Sequence, residues 1–143
     1  MIKRICKSLL GIQEDKSVVV LDPSSLPGAK GAPPEPDMRL TGLFGDVDEE
    51  KVSELATAFL YMNEMNKITP KKEERKPIDF YVSTYGGNAD DMFALYDVMR
   101  QVREETEINT IGLGKVMSAG VLLLAGGTKG KRKIGRNCRV MIH

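Results

Sequence analysis

Thiols and imidazoles are scarce in this chain, whose 143 residues include two cysteines, Cys6 and Cys138, and one histidine, His143. The cysteines stand near opposite ends, without zinc-site spacing and too few for a disulfide framework, which fits a reducing cytosol and a cytoplasmic protein. Neither reads as catalytic, and the sequence implies no metal and no other cofactor. An excess of one charge is also lacking: 21 basic residues against 20 acidic leave a net charge of +1. No overall field therefore argues for nucleic acid or an anionic membrane as the main partner. No apolar run approaches the length of a membrane span. The opening "MIKRICKSLLGIQ" is basic, but its apolar run is too short and too interrupted for a signal-peptide core. Ile2, Ile5, Leu9 and Ile12 do lie at helical spacing with basic residues between them, so an amphipathic surface anchor stands as the alternative to a plain soluble start.

What the chain does have is the composition of one compact domain, 41% hydrophobic and 29% charged. Proline, glycine and serine concentrate in Asp22–Asp37, "DPSSLPGAKGAPPEPD", which can neither keep a helix nor pair in a central strand and is expected to be an exposed loop. A short strand, "SVVVL", is expected before it and another, "MRLTGLFG", after it. Val52, Leu55, Ala56, Phe59, Leu60 and Asn63 follow helical spacing, with Asp46 or Asp48 available as a cap. The charged stretch Thr69–Pro77 reads as a solvated loop. Ile78, Phe80 and Val82 alternate with Asp79, Tyr81 and Ser83 as in a strand. Met92, Leu95, Tyr96, Met99 and Val102 then form the buried stripe of a helix starting near Asn88, with Asp90 and Asp91 in its first turn. "INTIGLG" is strand-like, "SAGVLLLAGG" a short buried helix with a glycine-rich exit, and "CRVMIH" a final strand. Strands alternating with helices make the expected class α/β.

Three features have the makings of a site. Ser118 falls where a strand gives way to a helix, and the small residues Ala119 and Gly120 after it keep bulk away from a bound carbonyl. The N–H of Ala119, directly after the hydroxyl, is where an oxyanion donor has to be. On its own the serine reads more readily as an N-cap. Gly86 and Gly87, between the central strand and the next helix, allow a tight turn that presents an N–H to a ligand. The pair lacks the further glycine of a dinucleotide fingerprint and the Lys-Ser/Thr ending of a phosphate loop, so a nucleotide site is not implied, and by itself the pair reads by default as a plain helix-entry turn. His143, at the end of the last strand, is of the residue type that takes a proton from a serine and returns it to a leaving amine near neutral pH.

With those residues in view, "STYGGNADDMFALYDVM", "GLFGDVDEEKVSELATAFLYMNE" and above all "GKVMSAGVLLLAGGTKGKRKIGRNCRVMIH" resemble ClpP, the proteolytic subunit of the ATP-dependent Clp protease. The resemblance runs over about residues 39 to 143 and is gapless from Gly114 onward. It implies a ClpP/crotonase-like spiral of β-β-α units, with Ser118 as nucleophile, His143 as general base, and the N–H groups of Gly87 and Ala119 as the oxyanion hole. It implies as partners an unfolded polypeptide substrate, further copies in a homo-oligomeric ring and an ATP-dependent unfoldase, and neither nucleic acid nor a membrane. Lys129, Lys131, Arg132, Lys133, Arg136 and Arg139 then belong to a turn that is basic throughout that family. The expected division is an N-terminal extension at 1–37 and a protease domain at 38–143.

The departures matter as well. The triad aspartate and the helical handle of the family both lie downstream of the histidine, and neither falls within these residues. Loss of the aspartate in serine proteases lowers turnover by about 10⁴, so the 143-residue chain alone is expected to be nearly inactive, as a fragment or one half of a split gene. Tyr85 and Ala119 stand where proline and methionine are usual, and the Asp22–Asp37 loop replaces the family's first helix. Two other functions remain open on the sequence: a silent structural subunit of a mixed ring, and a crotonase-type acyl-CoA enzyme on the same fold.

Overall fold

In the strand β2 (Ile78–Thr84) every second residue is buried, so one face packs on the core, and pairing on both sides places the strand inside the sheet. The computed structural model describes residues 37–143. The expected amphipathic start, the "SVVVL" strand, most of the Pro-rich loop and Cys6 lie outside the described residues. Met38–His143 is one compact unit. On one side of β2 lies β1 (Leu40–Phe44), parallel, with Leu40 opposite Asp79 and Phe44 opposite Ser83. On the other side lies β3 (Ile108–Met117), also parallel, with Ile78 opposite Ile108. Two short strands follow one another along the far edge of β3. The first, β4 (Arg132–Ile134), pairs with Thr110–Gly112, and the second, β5 (Arg139–Met141), pairs with Lys115–Met117, both parallel. Parallel neighbours need crossover connections, and the helices α1 (Glu49–Lys67), α2 (Ala89–Val102) and α3 (Ala119–Ala125) lie in them. The fold is α/β, as the sequence implies, and its sheet is parallel.

Local chemistry explains where the helices begin. Asp48 caps α1, accepting the Lys51 N–H at 3.0 Å. Its carboxyl is held below its ordinary value first by the hydrogen bond from the Lys51 side chain, then by that backbone N–H. Asn88 caps α2 by accepting from the N–H groups of Asp90 and Asp91 at 2.8 and 3.0 Å. The buried face of α1 is Val52, Leu55, Phe59, Met62, Asn63 and Asn66. Leu60, expected on that face, is 38% exposed. The true stripe advances in steps of three and four from Val52 to Asn66, and Leu60 is turned about 100° away from Phe59. Met92, Leu95, Met99 and Val102 form the inner face of α2, with Tyr96 partly buried against the core. Phe59 and Phe80 meet edge to face, centroids 5.2 Å apart, and join α1 to the sheet.

Two further differences concern strands. β3 runs past the expected "INTIGLG" as far as Met117, because a bulge at Gly114 (φ +63°) lets it resume pairing. While β2 advances from Val82 to Thr84, β3 advances from Gly112 to Val116. β4 was not expected at all: its three residues are exposed and carry no alternation, so only pairing with β3 makes them a strand.

A buried polar cluster ties the end of α1 to the segments that lead into β2 and β3. Asn66 Nδ2 donates to the Lys76 carbonyl at 2.9 Å and to Thr106 Oγ1 at 3.0 Å, its Oδ1 accepts the Lys76 N–H, and the Thr106 hydroxyl donates to Asn63 Oδ1 at 2.7 Å. Replacing Asn66 with leucine leaves several of these groups unsatisfied in the interior. We expect Asn66→Leu to cost about 2–4 kcal/mol, measured by urea unfolding of the full chain. A cost below about 0.5 kcal/mol would mean that solvent reaches the cluster.

Candidate active site

Ser118 sits between β3 and α3 with φ 52° and ψ −123°, and among the described residues it is the one non-glycine with positive φ. A side chain there is strained, and such strain persists where surrounding contacts over-determine the backbone. Those contacts are visible. The Ser118 N–H donates to the Met141 carbonyl at 2.9 Å, and its own carbonyl accepts the Val121 N–H at 3.0 Å. The side chain makes no capping hydrogen bond, so the plain N-cap reading of the serine is set aside. Gly120, two residues on, lies so close to Thr84 that a Cβ would collide with its methyl group, which packs α3 tightly onto β2.

The glycine pair folds against this elbow. A Cβ on Gly86 would stand 2.7 Å from Ser118 Cβ and 3.3 Å from the Ala119 nitrogen. Gly86 has φ +110° and donates its N–H to Thr84 Oγ1 at 2.9 Å. Gly87 (φ +155°) forms a bridge with Val47: the Val47 N–H donates to the Gly86 carbonyl and the Asn88 N–H to the Val47 carbonyl, each at 2.9 Å. The N–H groups of Gly87 and Ala119 meet no acceptor among the described residues. Gly86, next to the first of them, packs on Ser118, and Ala119 directly follows the serine.

His143 lies two residues beyond Met141, whose carbonyl holds the Ser118 N–H, so the backbone brings both to one end of the β3–β5 pair. Its imidazole is exposed, and the structure forms no hydrogen bond between it and the Ser118 hydroxyl. The concavities along Lys72–Pro77, at the end of α2 and on the Ser53–Tyr61 face of α1 are lined by none of these residues. Part of the basic turn serves the fold: Arg132 donates to the Gly127 carbonyl at 2.9 Å, which also accepts from Arg103 at the end of α2 at 3.2 Å, and Lys131 pairs with Glu107. Among the described residues no His/Cys/Asp/Glu group could hold a metal ion, and no helix is long and apolar enough to cross a membrane.

Sequence reasoning missed three supports of the site: Val47, Thr84 and the Met141 carbonyl. Thr84 two residues before Gly86 is a recognisable hydroxyl-turn signal, whereas the other two act through backbone groups that any residue carries.

The Clp protease family model matches residues 38–143. The chain belongs to the Clp protease family. Among curated Clp relatives, ATP-dependent Clp protease proteolytic subunit 1 of Leifsonia xyli subsp. xyli is 34% identical over 105 residues, 73% of this chain and 49% of that protein. The crystal structure of the ClpP protease catalytic domain from Plasmodium falciparum matches with a TM-score of 0.65 and 31% identity, covering 73% of this chain and 53% of that one. This Clp protease family chain thus has the ClpP catalytic-domain fold and spans about half the length of the relatives it matches.

Proposed function

We propose that the chain is a serine endopeptidase subunit of a Clp-like ATP-dependent protease, cleaving unfolded polypeptides through an acyl-enzyme. The observation that carries this is the strained Ser118 elbow, with Gly86 packed on it and the strand leading to His143 hydrogen-bonded to it. Ser118 Oγ attacks the scissile carbonyl carbon while the His143 imidazole accepts its proton. The carbonyl oxygen, now an oxyanion, takes hydrogen bonds from the Gly87 and Ala119 N–H groups. When the intermediate collapses, the C–N bond breaks and the amine leaves with the proton from the imidazolium. Water, deprotonated by the same imidazole, then releases the acyl group and restores the serine.

No cofactor enters these steps. The reading includes assembly with further copies of the chain in a ring, in the cytoplasm, with an ATP-dependent unfoldase delivering substrate. A fluorophosphonate, which reports an activated serine, tests it. Slow labelling, in keeping with the near-inactivity expected of these 143 residues alone, that maps by peptide mass spectrometry to the segment holding Ser118 is the expected result. Absence of labelling would favour a silent structural subunit, and thioester turnover without peptide cleavage would favour an acyl-CoA enzyme.

A further inference from the structure

Two cations and an aromatic ring converge beside Ser118 in a way that the reaction itself does not use. Lys115, in the β3 bulge three residues before Ser118, holds its ammonium 4.6 Å above the centroid of the Tyr85 ring. Tyr85 is 65% exposed and directly precedes the glycine pair. On the other side, Lys115 stands opposite Arg139 of β5 in the parallel register, so the two side chains leave the sheet on the same face. Among the described residues neither cation forms an ion pair. Like charges on opposed strand positions repel, and an aromatic face offsets a neighbouring cation only modestly where water reaches it. An arrangement of this kind is relieved by an anion that lies across both.

Resting on the serine-protease reading above, we propose that Lys115 and Arg139, with Tyr85 holding the lysine in place, form a subsite for an acidic side chain of the polypeptide substrate. Spacing sets where on the substrate that side chain falls. Three residues of extended β3 separate Lys115 from Ser118 by roughly 10 Å, the span of two to three residues of an extended peptide. The acidic residue therefore stands two or three positions from the scissile bond. Lys115 and Arg139 bind substrate, and Tyr85 acts through Lys115.

The test uses the whole chain and decapeptides with a central Leu-Leu bond, carrying Glu, Gln or Lys at the second and third positions on either side, as competitors of fluorophosphonate labelling at Ser118. Glu peptides should protect at concentrations about three- to tenfold lower than Lys peptides, a ratio that shrinks between 50 and 500 mM salt. In the Lys115→Glu/Arg139→Glu double variant the order should reverse. Tyr85→Phe should keep the wild-type ratio and Tyr85→Ala should reduce it. Equal protection by Glu and Lys peptides on labelled wild-type chain, or a preference unchanged by salt, overturns the subsite while leaving the nucleophile standing. A wild-type chain that the fluorophosphonate does not label removes the serine-protease reading, and the subsite with it.

Discussion

Ser118→Ala is expected to remove fluorophosphonate labelling and to lower whatever slow amide or ester hydrolysis the chain shows by about 10²-fold, because the Ser118 oxygen is the atom that forms the covalent intermediate and the effects of triad members are not additive. The fold should hardly notice. The Ser118 side chain makes no capping hydrogen bond, and alanine inherits the same unfavourable φ of 52°, so unfolding should shift by less than about 0.5 kcal/mol. Ser118→Gly separates strain from chemistry. Glycine occupies that backbone region without a Cβ penalty, so this variant should gain about 1 kcal/mol of stability over Ser118→Ala while remaining equally inert. The readouts are labelling rate and urea midpoint on the same preparations. Labelling that survives in Ser118→Ala would assign the reactive serine elsewhere, and a glycine variant no more stable than the alanine one would mean that the elbow is not strained.

How much of this was legible depends on how far each signal reaches along the chain. Asp48 and Asn88 declare their helices because a cap acts on N–H groups two or three residues away. Ile78, Phe80 and Val82 declare their strand because burial follows a period of two. Leu60 was misread because a leucine one position past Phe59 fits a broad apolar stripe on paper, and only packing fixes how wide the buried stripe is. The short, exposed strand at Arg132–Ile134 has no pattern of its own and exists through its partner in β3. In the site, the residue types at Ser118, Gly86–Gly87 and His143 drew attention, and the resemblance over about residues 39 to 143, gapless from Gly114 onward, joined them. The means of holding them was hidden: the bridge from Val47, the carbonyl of Met141 and the two-residue slip in the β2–β3 register are contacts across the sheet, made by backbone that carries no residue-specific mark. The imidazole of His143 illustrates the remaining distance, since its backbone reaches the right end of the sheet but no hydrogen bond joins it to the hydroxyl.

Gly87→Ala should be the most damaging single methyl group in the domain. Its Cβ would fall 2.7 Å from the Val47 nitrogen and closer still to the Val47 carbonyl oxygen, which are backbone atoms with no rotamer to yield. Retreat is blocked as well, because the hydrogen bonds from Val47 N–H to Gly86 and from Asn88 N–H to Val47 bracket the same spot. Overpacking costs about 1–3 kcal/mol, and the φ of +155° adds backbone strain, so a loss of about 3 kcal/mol is expected by urea unfolding. Gly130→Ala is the control. It too has a positive φ, +84°, but no atom lies within 4 Å of the added Cβ, so about 1 kcal/mol should be lost from strain alone. The chemistry supplies the second readout. Folded Gly87→Ala, measured well below its urea midpoint, should be labelled by fluorophosphonate about 10²-fold more slowly than wild type, because displacing Val47 and Gly87 turns one oxyanion donor away. Gly130→Ala, on the turn before the edge strand, should keep its labelling rate within about twofold. If Gly87→Ala folds as stably as Gly130→Ala and is labelled as fast as wild type, the Val47 bridge does not hold the glycine loop, and the Gly87 N–H is not one of the two amides that face the reacting carbonyl.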